Sequence, residues 1–183
     1  MKSILITGGA RSGKSHYAQE MAAQSGKAVL FVATAQAGDE EMRRRIEIHR
    51  KSRPASWHTL EAPLKVGERI TSEAGNTQLV LIDDITLLVN NAIGGLLSAD
   101  GTDIDEGQAE TATAGEINGL INCMKNVKAD FVIVTNEVGL GLVPDNKLGR
   151  VYRDLLGKAN QSLAKEVDEV IFMISGLPLK VKP

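Results

Sequence analysis

The sequence predicts an α/β protein with a central, mainly parallel β-sheet flanked by helices. Apolar segments of strand length alternate along the chain with amphipathic segments of helix length, which is the order typical of such sheets. The apolar segments are nearly continuous, as in strands that are covered on both faces. A Gly-rich segment joins the first of them to the first predicted helix, where parallel sheets commonly bind phosphate groups.

Five strands and five helices follow from these patterns. The strands are predicted over residues 2–7, 28–33, 79–83, 131–135 and 170–175. The helices are predicted over residues 16–25, 39–53, 85–97, 106–126 and 147–167. Gly26 is a typical residue for the end of the first helix, and Pro54 requires the second to end near Arg53.

Length and composition exclude several classes of protein. The 183 residues suffice for one domain, 1–183, with a sizeable core. A net charge of -2 provides no basic field for nucleic acid, and no apolar run reaches the ~20 residues of a membrane span. The single cysteine, Cys123, excludes an intrachain disulfide and is expected to be a buried helical residue. We therefore expect a cytoplasmic protein that binds neither nucleic acid nor membrane.

The Gly-rich segment has the spacing G-x-x-x-x-G-K-[ST]. This motif curls backbone N–H groups around a phosphate, its lysine reaches the β and γ phosphates, and its hydroxyl binds Mg²⁺. Its position after a strand and before a helix predicts a P-loop NTPase fold and a nucleotide site. The predicted nucleotide-binding residues of the loop are Gly8, Gly9, Ala10, Arg11, Ser12, Gly13, Lys14 and Ser15.

Two adjacent acids end the apolar segment Leu-Val-Leu-Ile-Asp-Asp. Asp83 directly ends the predicted strand and is the better candidate to bind Mg²⁺ together with Ser15. Asp84 is expected to cap the following helix, because alternation along a strand directs only one of two neighbours toward the site. A purely structural role for both acids is the alternative.

One of the three histidines, His49, lies on the predicted helix 39–53 in line with Met42, Ile46 and Arg53. The surrounding segment is strongly basic, which is typical of a solvated helix face and also of a polyphosphate site. In the second case a neutral imidazole could attack an α-phosphorus while guanidinium groups stabilise the developing charge. The sequence pattern alone leaves both interpretations open.

Several segments together closely resemble the bifunctional adenosylcobinamide kinase and adenosylcobinamide-phosphate guanylyltransferase family of cobalamin synthesis. They are GGARSGKS, the strand end Ala33-Thr34-Ala35, IEIHRKSRPASWHTLE, LIDDITLLVNN, TNEVGLGLVP and SGLPLKVK. The resemblance extends from Met1 to the C-terminus. One departure is Asp84, where the family commonly has a cysteine.

The resemblance implies site residues beyond the phosphate loop. The histidine of the family that matches His49 carries covalent GMP, so the resemblance assigns His49 to catalysis. Lys14 is also assigned to catalysis, because it would neutralise charge on the phosphoryl group transferred in the kinase step. The further nucleotide contacts that the family implies are Ala33, Thr34, Ala35, Arg50, Lys51, Ser52, Arg53, Glu61 and Asp83.

The resemblance also implies the chemistry and assembly. The family phosphorylates adenosylcobinamide with ATP or GTP and Mg²⁺, then transfers GMP from GTP through the histidine to give adenosylcobinamide-GDP. It is usually a homotrimer. Apart from the resemblance, the loop 135–144 follows a strand end, where ligands of open α/β sheets bind, so it is expected to contact the corrinoid or another subunit; an ordinary strand-to-helix connection is the alternative. Two alternatives are a P-loop small-molecule kinase in which His49 is structural, and a nucleotide-dependent regulatory module.

Overall fold

A computed structural model describes residues 1–36, 40, 43–44, 50 and 53–183. The strands within these residues have the bounds β1 Ser3–Gly8, β2 Val29–Ala33, β3 His58–Glu61, β4 Leu79–Asp83, β5 Asp130–Val134, β6 Glu169–Ile174 and β7 Leu177–Lys182. The helices that lie wholly within the described part of the chain have the bounds α1 Lys14–Gln24, α2 Val66–Glu73, α3 Ile85–Gly94, α4 Glu106–Asn126 and α5 Lys147–Glu166. The predicted helix 39–53 lies mostly outside the described residues.

The seven strands form one sheet in the order β3-β2-β4-β5-β1-β6-β7. All neighbouring strands are parallel except β6 and β7. Strand β1 lies between β5 and β6 and is parallel to both, so the chain that follows β1 and the chain that follows β5 emerge at the same edge of the sheet. This topology confirms the predicted α/β fold class with a mainly parallel sheet.

Alternation along the strands divides the core into two layers. On β4, Val80 and Ile82 pack on the face covered by α2, α3, α4 and α5, whereas Leu79 and Leu81 pack on the face covered by α1. Continuing the same alternation places Asp83 on the α1 face. The sheet geometry therefore directs this acid, rather than its neighbour, toward the phosphate loop at the start of α1.

Side chains cap the N-termini of α3, α4 and α5. Asp84, Asp105 and Asn146 each accept a hydrogen bond from an amide in the first turn of the helix that follows. At α2 the Glu116 carboxylate accepts from the amides of Lys65 and Val66. Helix α1 differs, because no side chain caps its N-terminus.

Three elements were not predicted from the sequence: β3, α2 and β7. The first two are short, with four and eight residues, so their periodicity is weak. Strand β7 is exposed along nearly its whole length, and it follows β6 through a two-residue turn. Ser175 and Gly176 have φ values of 50° and 87° in that turn, which is the geometry of a tight hairpin.

The contact between α2 and α4 predicts opposite effects of two Gly-to-Ala substitutions. A Cβ at Gly67 would lie 2.2 Å from the carbonyl oxygen of Gly119, whereas a Cβ at Gly119 would meet open space. Gly67→Ala should therefore force the helices apart and lower the free energy of unfolding by about 1–3 kcal/mol. The matched control Gly119→Ala should be neutral or stabilising by about 0.5 kcal/mol. Urea denaturation measures both, and equal effects would contradict this account of the helix contact.

Candidate nucleotide-binding site

The phosphate loop connects β1 to α1 and requires glycine at two positions. Gly8 has a φ of 146°, and a Cβ there would lie 2.5 Å from the carbonyl oxygen of Met173. Gly13 has a φ of 95°, a conformation that L side chains rarely adopt. Both ends of the loop are fixed, since the Glu137 amide donates to Gly8 O at 3.0 Å and the Gly176 amide to Ser12 O at 2.9 Å.

Lys14 begins α1 and is buried within the loop. Its Nζ donates to the carbonyl oxygen of Gly9 at 2.6 Å and lies 3.4 Å from the Ser12 hydroxyl. Burial lowers the pKa of the ammonium group, while the charges of Asp84 and Asp83 raise it. The loop thus places one cation beside the uncapped N-terminus of α1, and both attract an anion.

The side chain of Ser15, the residue that follows Lys14, contacts the side chain of Asp83. The Ser15 hydroxyl donates to Asp83 Oδ1 at 3.1 Å. Burial raises the pKa of the Asp83 carboxyl, and the Ser15 hydrogen bond and the charges of Arg53 and Lys14 oppose that rise. A hydroxyl and a carboxylate oxygen at this separation are suitable ligands for a hard cation such as Mg²⁺.

The side chain of Asp84 points away from the α1 face, on which Asp83 lies. Its Oδ1 accepts from the Leu87 amide at 2.8 Å, and its Oδ2 accepts from Asn136 Nδ2 at 3.2 Å. Burial raises the pKa of the Asp84 carboxyl to about 6; the Leu87 hydrogen bond lowers it, and nearby Asp83 raises it further. The expected capping role of Asp84 agrees with this geometry.

The Ala33-Thr34-Ala35 segment ends β2 beside these acids. Thr34 is fully buried, and its hydroxyl donates to Asp84 O at 2.7 Å and accepts from the Asp84 amide at 2.9 Å. Asn91 Nδ2 donates to the Thr34 carbonyl oxygen at 2.7 Å. Of the three predicted contacts, Thr34 therefore uses its side chain to bind the backbone of Asp84. Ala35 is more exposed than Ala33 and Thr34.

Arg53 lies on the α1 face of the sheet. Its guanidinium carbon is 3.6 Å from the centre of the Phe31 ring, which also stacks on Trp57 with 6.3 Å between ring centres. Burial lowers the pKa of Arg53, whereas the charges of Asp83 and Glu61 raise it. The structure thus brings Arg53, Glu61 and Asp83 together, at the carboxyl ends of β3 and β4.

Part of the predicted site lies outside the described residues, namely His49, Lys51 and Ser52. Arg50 is described, is helical and has an exposed side chain. Among the described residues no group of three or more His, Cys, Asp or Glu side chains is arranged to hold a metal ion. Asp83 with Ser15 is consequently a two-ligand site that other oxygen ligands would have to complete.

Sequence reasoning missed the polar contacts that join α3, α5 and the end of β5. Asn160 of α5 donates to the carbonyl oxygen of Asn136 at 3.0 Å and accepts from the Thr135 hydroxyl at 2.7 Å. The Tyr152 hydroxyl donates to Thr86 O at 3.0 Å. The amphipathic pattern of the predicted helix 147–167 places Tyr152 on its apolar side with Leu148 and Leu155, and it gives no signal for a contact made by Asn160.

The comparisons with known proteins agree with this geometry. Residues 4–181 match the family described as cobinamide kinase / cobinamide phosphate guanyltransferase. The chain belongs to this family. It is 43% identical over 178 residues to the bifunctional adenosylcobalamin biosynthesis protein CobP of Pseudomonas aeruginosa, covering 97% of this chain and 96% of that protein. It is 41% identical over 182 residues to the CobU proteins of Escherichia coli and Salmonella typhimurium, covering 98% of this chain and 99% of each relative.

Family membership confirms the resemblance inferred from the sequence motifs. The matched range includes the phosphate loop, both acids and the loop after β5. No helix within the described part of the chain is long and apolar enough to cross a membrane. Asp84 also lies within the matched range, and the raised pKa of its carboxyl group affects the stability of the folded chain.

The raised pKa of Asp84 predicts a pH-dependent loss of stability. The folded state binds this proton more tightly than the unfolded state does, so stability falls as pH rises from about 4, the usual value for an aspartate, to about 6. Asp84→Asn should therefore raise the free energy of unfolding at pH 8 by about 1 kcal/mol, after allowance for the weakened bond to Asn136.

Urea denaturation at pH 4.5 and pH 8 measures this difference. The gain of Asp84→Asn over the wild type should be present at pH 8 and lost at pH 4.5. Asp105→Asn is the matched control, because it removes a carboxylate from the exposed N-cap of α4. A gain of equal size at both pH values would show that Asp84 does not act through its charge.

Proposed function

We propose that the protein phosphorylates the hydroxyl group of adenosylcobinamide with ATP or GTP and then transfers GMP from GTP to adenosylcobinamide phosphate. The observation that carries this proposal is the family match over residues 4–181, and the Ser15–Asp83 pair beside Lys14, at the uncapped N-terminus of α1, supplies the phosphate site that it requires. Near full-length similarity to proteins named as bifunctional in adenosylcobalamin biosynthesis supports it. The product of the two steps is adenosylcobinamide-GDP.

In the kinase step the triphosphate binds along the phosphate loop. The amides of the first turn of α1 have no side-chain cap, so they are available to the phosphate oxygens. Lys14 exchanges its contact with Gly9 for the β and γ phosphates and stabilises charge on the transferred group. The acceptor hydroxyl attacks the γ-phosphorus, and the bond to the β-phosphate oxygen breaks.

Ser15 and Asp83 are the residues that would hold Mg²⁺. Their oxygen atoms are already in contact, and burial on the α1 face excludes competing water from one side. The bound cation would neutralise phosphate charge during transfer. Arg53, held on the Phe31 ring near Asp83, adds a second positive charge beside this position.

In the guanylyl step His49 is the nucleophile. An imidazole nitrogen attacks the α-phosphorus of GTP, a P–N bond forms, and pyrophosphate leaves. A phosphate oxygen of adenosylcobinamide phosphate then attacks the same phosphorus, and the P–N bond breaks. Arg50, Lys51, Ser52 and Arg53 follow the histidine and are proposed nucleotide contacts, together with Ala33, Thr34, Ala35 and Glu61.

We also propose that the protein acts in the cytoplasm as a homotrimer. Support for assembly comes from β7, an edge strand whose Leu177, Leu179 and Val181 are 72%, 54% and 61% exposed. Exposed apolar edge strands readily pair with or pack against another chain. Neither nucleic acid nor membrane is a proposed partner.

Covalent labelling tests the guanylyl step. Incubation with GTP labelled at the α-phosphate should give an acid-labile, base-stable label on the wild type, because phosphoramidates hydrolyse in acid. His49→Ala should abolish the label, whereas the control His16→Ala should keep it, since His16 is an exposed residue of α1. A wild type that phosphorylates adenosylcobinamide but takes no label would leave only the monofunctional kinase. Tight nucleotide binding without turnover would favour the regulatory module.

A Mg²⁺ titration of the kinase rate tests the metal site. Asp83→Asn should lower kcat roughly 100-fold and raise the Mg²⁺ concentration needed for half-maximal rate, because it removes the carboxylate ligand. Ser15→Ala should have a smaller effect of the same kind. The matched variant Asp84→Asn should leave the Mg²⁺ requirement unchanged. The reverse result, with the requirement raised by Asp84→Asn alone, would transfer the ligand role to Asp84.

A further inference from the structure

The loop between β5 and α5, whose Glu137 amide donates to the carbonyl oxygen of Gly8, presents apolar side chains to solvent. Leu140, Leu142 and Val143 are 81%, 95% and 66% exposed. They lie within four consecutive positions, so they form one apolar tip, which we define as Leu140–Val143. Exposed apolar patches of about a few hundred Å² often mark binding sites on soluble proteins.

The base of this loop is fixed, although its tip is exposed. Val138 packs against the core cluster on the face of the sheet covered by α2, α3, α4 and α5. The Gly139 amide donates to Glu137 Oε1 at 2.6 Å. On the other side, Arg150 Nη1 donates to the carbonyl oxygens of Pro144 and Asp145 at 3.1 and 2.8 Å. The apolar tip is therefore held in place from both ends.

The loop is also tied to the reacting centre. The Glu137 amide donates to the carbonyl oxygen of Gly8, the first residue of the phosphate loop. Both loops therefore emerge at the carboxyl edge of adjacent strands, β5 and β1, where ligands of open α/β sheets bind. An acceptor whose hydroxyl reaches the γ-phosphate must extend past this edge.

We infer that the apolar tip Leu140–Val143 contacts the corrin macrocycle of the acceptor substrate. This inference rests on the proposed function, which supplies an acceptor with a large, partly apolar ring system. The macrocycle is much larger than the phosphoryl acceptor group that it carries, so it needs a surface outside the phosphate loop. The tip offers such a surface at the required edge.

A second copy of the chain is a weaker candidate for the tip. Three side chains bury roughly 300 Å², whereas a stable interface buries about 800 Å² on each partner. Strand β7 presents a separate row of exposed apolar residues that is better suited to subunit contact. A compact tip on a loop whose base is bonded to Gly8 is better matched to a substrate.

Steady-state kinetics of a double variant, Leu140→Ser with Leu142→Ser, tests the inference. The KM for adenosylcobinamide should rise about tenfold or more, because two apolar contacts are lost on binding. The KM for ATP and the extent of labelling by α-labelled GTP should not change, since neither requires the macrocycle. Leu64→Ser is the matched control, an exposed leucine outside both loops, and should leave all three quantities unchanged.

The mass in solution, measured by light scattering, completes the experiment. An unchanged KM for adenosylcobinamide in the double variant would overturn the inference while leaving the proposed function intact. A raised KM together with a change in subunit number would also overturn it, because the tip would then belong to a subunit interface. A wild type unable to phosphorylate adenosylcobinamide would instead refute the proposed function.

Discussion

The contact between Ser15 and Asp83 is the constraint around which the site is built. A carboxylate buried at the end of β4 is stable only with hydrogen bonds and positive charge around it. Ser15 supplies the hydrogen bond, and Lys14 and Arg53 supply the charge. This requirement couples three segments that are distant in sequence: the phosphate loop, the end of β4 and the chain before β3. The protein's own charges at this position already balance one another. A divalent cation and a polyphosphate carry opposite charges, so the arrangement is suited to binding the two together.

Much of the fold follows from the sequence because its signals are local. The apolar runs identify the five strands that are packed on both faces, and the glycine and lysine spacing identifies the phosphate loop. Strand β3 has only four residues and one buried side chain, so no periodicity marks it. Strand β7 contains Pro178 and is exposed, so its pairing depends on β6 rather than on burial of its own side chains. The Ser175-Gly176 pair is the one sequence signal that could have identified it.

The site was less predictable than the fold, since its contacts join positions that are far apart in the chain. Alternation along β4 was sufficient to separate Asp83 from Asp84, because that rule depends on one strand alone. Thr34 is expected from the resemblance to contact a nucleotide, and no sequence pattern indicates that its hydroxyl also binds both backbone polar groups of Asp84. Asn91 and Asn160 gave no sequence signal, because an asparagine on a helix is usually a solvated residue. Only the packing of α3 and α5 against the sheet shows that their amides join strand ends.

The position of Arg53 suggests how one phosphate loop could serve two different phosphorus atoms. Its guanidinium packs flat on Phe31, so its place is set by an apolar contact that does not depend on bound nucleotide. It stands near Asp83, on the same face of the sheet as Lys14 and Ser15. Lys14 and Arg53 therefore both place positive charge near Asp83. A triphosphate on the loop would meet fixed charge along its length, and the group that attacks, an acceptor hydroxyl or an imidazole, would determine which phosphate reacts.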